Sequence, residues 1–198
     1  MDGSVVTGRR RLYLMLNKPR GRVSSASDEK GRATIYSCLP PGLPWVAPVG
    51  RLDKASEGLL LLTNDSEWAG RVLAPETHLE KTYYVQVCGP LEPEVIRSLT
   101  KGIRTDAGFL SVRHALVLRQ GVRNAWLEII LDEGKNRHIR RMLEALGIDV
   151  LRLVRVAIGP LALGDLPKAA SRQLTAGEKQ ALDQVMARGA PQTRAGRR

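Results

Sequence analysis

The sequence predicts an α+β fold on a mostly antiparallel mixed sheet, with two halves flanking a cleft. Three observations carry this. Strand-like segments outnumber helical ones, and most are joined by turns rather than by helices. The 198 residues with 43% hydrophobic content suffice for one substantial domain or two small halves that share a cleft.

In chain order, Leu12, Leu14 and Leu16 alternate with Tyr13 and Met15 ahead of Asn17-Lys18-Pro19, so a strand ends in a turn. Gly21 to Pro48 is loop-rich, broken by Pro40-Pro41-Gly42 and Pro44. Val46 to Leu52 reads as a strand that delivers Asp53 to its end, Lys54 to Gly58 as a loop, and Leu59 to Thr63 as a buried strand. Asn64-Asp65-Ser66 then caps a short helix through Leu73.

The second half starts near Pro75. From Thr82 to Cys88, alternation places Tyr83, Val85 and Val87 on one face. Pro93 to Thr100 is a helix with proline in its first turn and Gly102 just past its end. Strands from Val112 to Leu118 and from Ala125 to Leu131 lead into the turn Asp132-Glu133-Gly134. Asn136 is placed to N-cap a helix in which Ile139, Met142, Leu143 and Leu146 form one apolar stripe, with Gly147 as the stop. Arg137 and Arg141 flank that stripe, and Arg140 at its edge points into a cleft. Val150 to Ile158 is the last expected strand, and Thr175-x-x-Glu178 is a capping box that opens the final helix.

The folded domain is expected over residues 11–186, its halves about 11–75 and 76–186, between a basic arm (1–10) and a basic tail (187–198) that carries four Arg. Lys and Arg number 31 against 20 Asp and Glu, a net charge of +11 that points to a polyanionic partner. One Phe, four Tyr and three Trp are few for a stacking platform, which speaks against a simple single-strand binding module. The apolar stretch Gly58 to Leu62 is too short to span a bilayer and the first residues lack a signal-peptide core, so a soluble cytoplasmic protein with no membrane partner is expected; a monomer is expected as well. Cys38 and Cys88 have no C-x-x-C spacing and are read as packed thiols.

The segment from Gly50 to Asp65 is the most informative. It sets Arg51, Asp53 and Glu57 around a glycine-bounded loop between apolar strands, where only the loop reaches solvent. Taken alone, Asp53 is a turn former, Tyr83 a core aromatic beside valines, and Arg140 a solvated helix charge. Phosphate-binding loops, dinucleotide fingerprints and zinc-protease or serine-hydrolase motifs are missing from the sequence, and the three histidines are scattered, with His138 expected on the helix surface.

Gly50-Arg51-Leu52-Asp53, together with Leu16-Asn17-Lys18-Pro19, Lys81-Thr82-Tyr83 and the run from Glu133 to Met142, resembles the RNA pseudouridine synthases of the ribosomal small-subunit type, a family that includes several large-subunit enzymes. The similarity covers about residues 13–182. It implies the pseudouridine synthase fold, no cofactor or metal, and isomerisation of a uridine in ribosomal RNA, 23S above 16S. It also implies Asp53 as the catalytic aspartate and Tyr83 as the ring that packs on the target base. By the same resemblance Arg140 pairs with the aspartate, Arg51 helps displace the target nucleotide, and Asn136 and Arg137 contact substrate. Many members carry an S4 RNA-binding domain ahead of the catalytic part, so the match is nearest to those without one. Ala169 stands where a glycine is usual, which puts the local turn in question.

The chemistry is self-consistent. A base in structured RNA must be extruded at a cost of a few kcal/mol, which stacking and an inserted side chain offset. Uracil departs as a delocalised anion, so the second carboxyl that glycosidases use as acid is not required. Two rival readings are a catalytically silent RNA-binding protein on the same fold and a metal-dependent nuclease that pairs Asp53 with Glu57 or Asp65.

Overall fold

The computed structural model describes residues 10–25, 31–106 and 108–189. In order come β1 (Tyr13–Lys18), a 3₁₀ turn (Ile35–Cys38), β2 (Ala47–Val49), β3 (Glu57–Thr63), α1 (Ser66–Leu73), a second 3₁₀ turn (Pro75–Thr77), β4 (Lys81–Cys88), α2 (Pro93–Lys101) and the small hairpin β5 (Ile103–Thr105) and β6 (Gly108–Leu110). There follow β7 (His114–Gln120), β8 (Asn124–Leu131), α3 (His138–Ala145), β9 (Val150–Ile158), β10 (Leu161–Ala162), β11 (Ser171–Gln173) and α4 (Ala176–Gly189). Most of the basic arm and residues 190–198 lie outside the described residues; 187–189, expected in the tail, complete α4.

Nine strands form one mixed sheet in the order β11-β1-β3-β9-β4-β8-β7, with β2 added to β3 and β10 to β9. As expected, the pairings are antiparallel with one exception, the short parallel contact of β3 with β9 at Glu57↔Val154 and Gly58↔Arg155. The approach there is close enough that a Cβ on Gly58 would lie 2.2 Å from the Arg155 carbonyl oxygen. The chain order of the two halves is not their packing. Ile158, Leu161, Leu182 and Met186 return to the first half and share a core with Met15, Leu59 and Trp68.

β3 is buried along its whole length because it is covered on both faces. Leu59 and Leu61 enter the core with α1 and α4, while Leu60 and Leu62 join Leu14, Leu16, Val46 and Leu52 on the other side. Each such leucine contributes about 1.5–3 kcal/mol of burial free energy, which makes the strand a rigid mount for the loop preceding it. The third core, around Val85, Leu127 and Met142, belongs to the second half, and Tyr83 packs against both it and the Leu14–Leu60 core.

Local signals explain the helix ends. Asp65 caps α1 through a 3.0 Å bond from the Trp68 amide and also accepts from the Tyr13 hydroxyl at 2.7 Å. Trp68, fully buried, donates its indole N–H to Asp183 at 2.9 Å and ties α1 to α4. Thr175 and Glu178 exchange amide bonds at 2.8 and 3.2 Å, so the capping box forms as expected. Cys38 is half-buried, but Cys88 is exposed on the polar face of β4, so only the first is a packed thiol.

Ala169 adopts a left-handed conformation with φ of 67°. The turn survives because Asn17 holds it from β1. The Ala169 amide donates to the Asn17 carbonyl at 2.8 Å, the Asn17 amide donates to the Ala170 carbonyl at 3.0 Å, and the Asn17 side chain donates to the Leu166 carbonyl at 2.8 Å. Ala169→Gly relieves the Cβ clash and is expected to raise stability by about 0.5–1 kcal/mol, part of the gain being lost to the freer unfolded chain. A urea midpoint unchanged or lowered counts against the strain.

Candidate active site

β2 and β9 occupy opposite ends of the same edge of β3, β2 beside Leu61 to Thr63 and β9 beside Glu57 and Gly58. The chain leaves β2 at the end nearer β9, and the Asp53 loop starts there. The expected strand to Leu52 stops at Val49 because Gly50 turns left-handed, with φ of 73° and only 3.0 Å between an added Cβ and Leu73.

The loop backbone is pinned from several sides. Ser24 donates its hydroxyl to the Leu52 carbonyl at 2.9 Å and accepts the Leu52 amide at 3.2 Å. The Ser56 amide closes a turn onto the Asp53 carbonyl at 2.9 Å, and the Gly21 amide donates to the Lys54 carbonyl at 2.8 Å. Lys18 is fully buried, and its ammonium donates to the carbonyls of Asp53 (3.0 Å), Ser56 (2.8 Å) and Pro19 (3.2 Å). Burial pushes its pKa down to about 8, outweighing the attraction of Asp53 and Glu57.

The Asp53 carboxylate, in contrast, has no ion pair or side-chain hydrogen bond among the described residues, and it lines a cleft of about 1020 Å³ between the halves. The other cleft carboxylates are engaged: Glu133 with Lys135 at 2.8 Å, and Asp132 with Arg113 at 3.8 Å. The partners a nuclease reading needs are also committed elsewhere. Glu57 is buried in contact with Arg152 (3.1 Å) and Lys168 (2.7 Å), and Asp65 caps α1.

All six residues singled out by sequence line this cleft: Arg51, Asp53, Tyr83, Asn136, Arg137 and Arg140. Arg51, Asn136 and Arg137 are exposed at its rim, whereas Asp53, Tyr83 and Arg140 are half-buried. Arg141 points elsewhere, toward Asp106 at 3.9 Å.

Three expectations are corrected. Arg140 does not pair with Asp53. It reaches from the edge of α3 to the Ala55 carbonyl at 3.2 Å, its Nε is buried without a partner among the described residues, and burial lowers its pKa while the charge of Asp53 opposes that shift. Asn136 does not cap α3, because Arg137, itself left-handed with φ of 50°, stands at the N-cap position and α3 begins at His138. His138 is not on the surface: only 3% exposed, it bonds through Nε2 to the Ser111 carbonyl at 3.0 Å, and burial pushes its pKa down. The apolar stripe of α3 extends one position toward its N-terminus, which is why the ring turns inward.

Two buried cations escaped the sequence reading although β alternation marks both. Lys18 continues the buried Leu12, Leu14, Leu16 face, and Arg155 stands two residues after buried Leu153. A charge on a buried face needs compensation, and that is the signal. Arg155 is 7% exposed and lines the cleft.

A carboxylate left open on a rigid mount, in a cleft lined also by arginines and a tyrosine, is the arrangement expected of an enzyme that works on a polyanion. The family model described as RNA pseudouridylate synthase matches residues 12–145, and the chain belongs to that family. It is 38% identical over 179 residues to an uncharacterized RNA pseudouridine synthase of Aquifex aeolicus (strain VF5), covering 90% of this chain and 72% of that protein. It is 36% identical over 177 residues to the ribosomal large subunit pseudouridine synthase B of Bacillus subtilis (strain 168), covering 88% and 72%. A crystal structure of a pseudouridylate synthase superimposes with a TM-score of 0.76 at 34% identity, over 87% of this chain and 74% of that one. The archaeal box H/ACA sRNP Nop10-Cbf5 complex shares the fold at 18% identity with a TM-score of 0.55, over 78% and 50%.

Proposed function

We propose that this protein isomerises a uridine of ribosomal RNA, in the large subunit, to pseudouridine without a cofactor. The observation that carries the reading is the open carboxylate of Asp53, held over a basic cleft by a loop whose backbone, not whose side chain, is tied down. The Bacillus subtilis relative supports the ribosomal substrate by its name.

In this reading the rim cation Arg137 takes RNA phosphates, Arg51 fills the space of the extruded nucleotide, and Tyr83 packs on the flipped base. Asp53 acts as nucleophile at the ribose C1′ or as base toward C2′, with the Arg140 guanidinium held beside its loop on the Ala55 carbonyl. The C1′–N1 bond breaks with its electron pair on uracil as the Asp53–C1′ bond forms or the C2′ proton passes to Asp53; the base turns, C5 bonds to C1′ as the Asp53–C1′ bond breaks or the C2′ proton returns, and the C5 proton is lost as N1 gains one. A catalytically silent RNA binder has no use for an unpaired carboxylate aimed into the cleft.

Unmodified ribosomal RNA labelled with tritium at uracil C5 is expected to release label when incubated with the protein, equally with and without EDTA. No release in either condition overturns the reading.

A further inference from the structure

Arg155 lies directly across from Tyr83 in the β4–β9 ladder, so the two side chains leave the sheet on the same face. Lys81, two residues before Tyr83 on β4, shares that face, and all three line the cleft. The Arg155 guanidinium is fixed by one arm only: its Nε donates to the Leu59 carbonyl at 2.7 Å. Its Nη2 is buried and has no hydrogen-bond partner among the described residues. A buried guanidinium N–H without an acceptor is costly, and in a cleft a catalytic role is one of the few reasons to keep it. The fold also secures its position, because the Gly58 contact brings β3 against the Arg155 backbone and no larger residue fits there. Burial and, after it, the charge of Arg155 push the Lys81 pKa down, as expected of two cations that line the cleft from one face.

We infer that Arg155 is a further catalytic residue, which donates its free arm to a carbonyl oxygen of the target uracil and stabilises the base as it departs as an anion. This rests on the pseudouridine synthase reading. As the C1′–N1 bond breaks, the electron pair spreads from N1 onto O2 and O4. A fixed guanidinium beside Tyr83 meets that charge without reorganisation and keeps its own proton. The charge develops whether Asp53 attacks C1′ or removes the C2′ proton, so the assignment is independent of that choice. Arg155 also tethers the free uracil while it turns to present C5.

The test compares single-turnover rates on two RNAs of one sequence, carrying uridine or 5-fluorouridine at the target, read as loss of the N-linked nucleoside after digestion. Fluorine makes the base leave as an anion with less help. Arg155→Gln is expected to slow the uridine RNA about 100-fold and the fluorouridine RNA less than about 10-fold. Equal slowing on both shows a structural role and overturns the proposal. Should Arg155→Gln lower the melting temperature strongly, Arg155→Lys is compared in the same way: a larger loss on uridine supports the assignment and equal losses overturn it. Wild-type protein that leaves the uridine RNA unchanged overturns the synthase reading and this inference with it, whereas active wild type with equal slowing overturns the inference alone.

Discussion

Asp53→Asn is expected to abolish uridine turnover, by at least about 10³-fold, while RNA affinity stays within about threefold of wild type. The side chain is nearly isosteric, and the loop is held through the Leu52, Asp53, Lys54 and Ser56 backbone, so the substitution removes a charge and leaves the mount intact. An amide neither attacks C1′ nor removes the C2′ proton. Single-turnover tritium release together with filter binding separates the two effects. A variant that retains a tenth of the wild-type rate would place the chemistry on another residue.

Lys18→Met carries the second large effect. Three carbonyls, those of Pro19, Asp53 and Ser56, lose their shared donor. Leaving buried acceptors unmatched, partly offset by removal of a buried charge, is expected to cost about 3 kcal/mol of stability. Turnover is expected to fall about 100-fold, because the carboxylate shifts relative to the ribose. RNA affinity is expected to hold, since Lys18 is fully buried and is a positioning residue only. Its pKa supplies a pH signature. With a folded value of about 8 against 10.5 for the ordinary group, the native state releases its proton first. Unfolding then takes up a proton between about pH 8 and 10.5, so this group's contribution to stability rises with pH across that window. Turnover runs the other way and declines above about pH 8, as the clamp loses its charge and one N–H. Unchanged melting temperature and turnover in Lys18→Met, or a wild-type rate flat from pH 7 to 10, excludes the clamp.

Much of the fold was legible in the sequence because its signals are local. The alternation of β4 and β8, the proline and glycine that bracket α2, the Asp65 cap and the capping box of α4 are each decided within a few residues. What failed was decided at longer range. β2 ends early because Gly50 turns under Leu73, and His138 turns inward to meet Ser111. Ala169 keeps a glycine-like turn because Asn17, far away in sequence, supplies three hydrogen bonds.

The candidate site divides in the same way. The sequence by itself, through the family resemblance that its ordered motifs carry, picked out six residues that line the cleft, Asp53, Tyr83, Arg51, Asn136, Arg137 and Arg140, whereas residue type and spacing alone left Asp53 a turn former and Tyr83 a core aromatic. Only the tertiary structure decided how they are held: Arg140 on the Ala55 carbonyl rather than on Asp53, Lys18 beneath the loop, and Arg155 beside Tyr83. The physical reason is that a buried charge takes its partners from whatever backbone the sheet order brings near. Here that order sets β9 between β3 and β4, a contact that spacing along the chain does not encode.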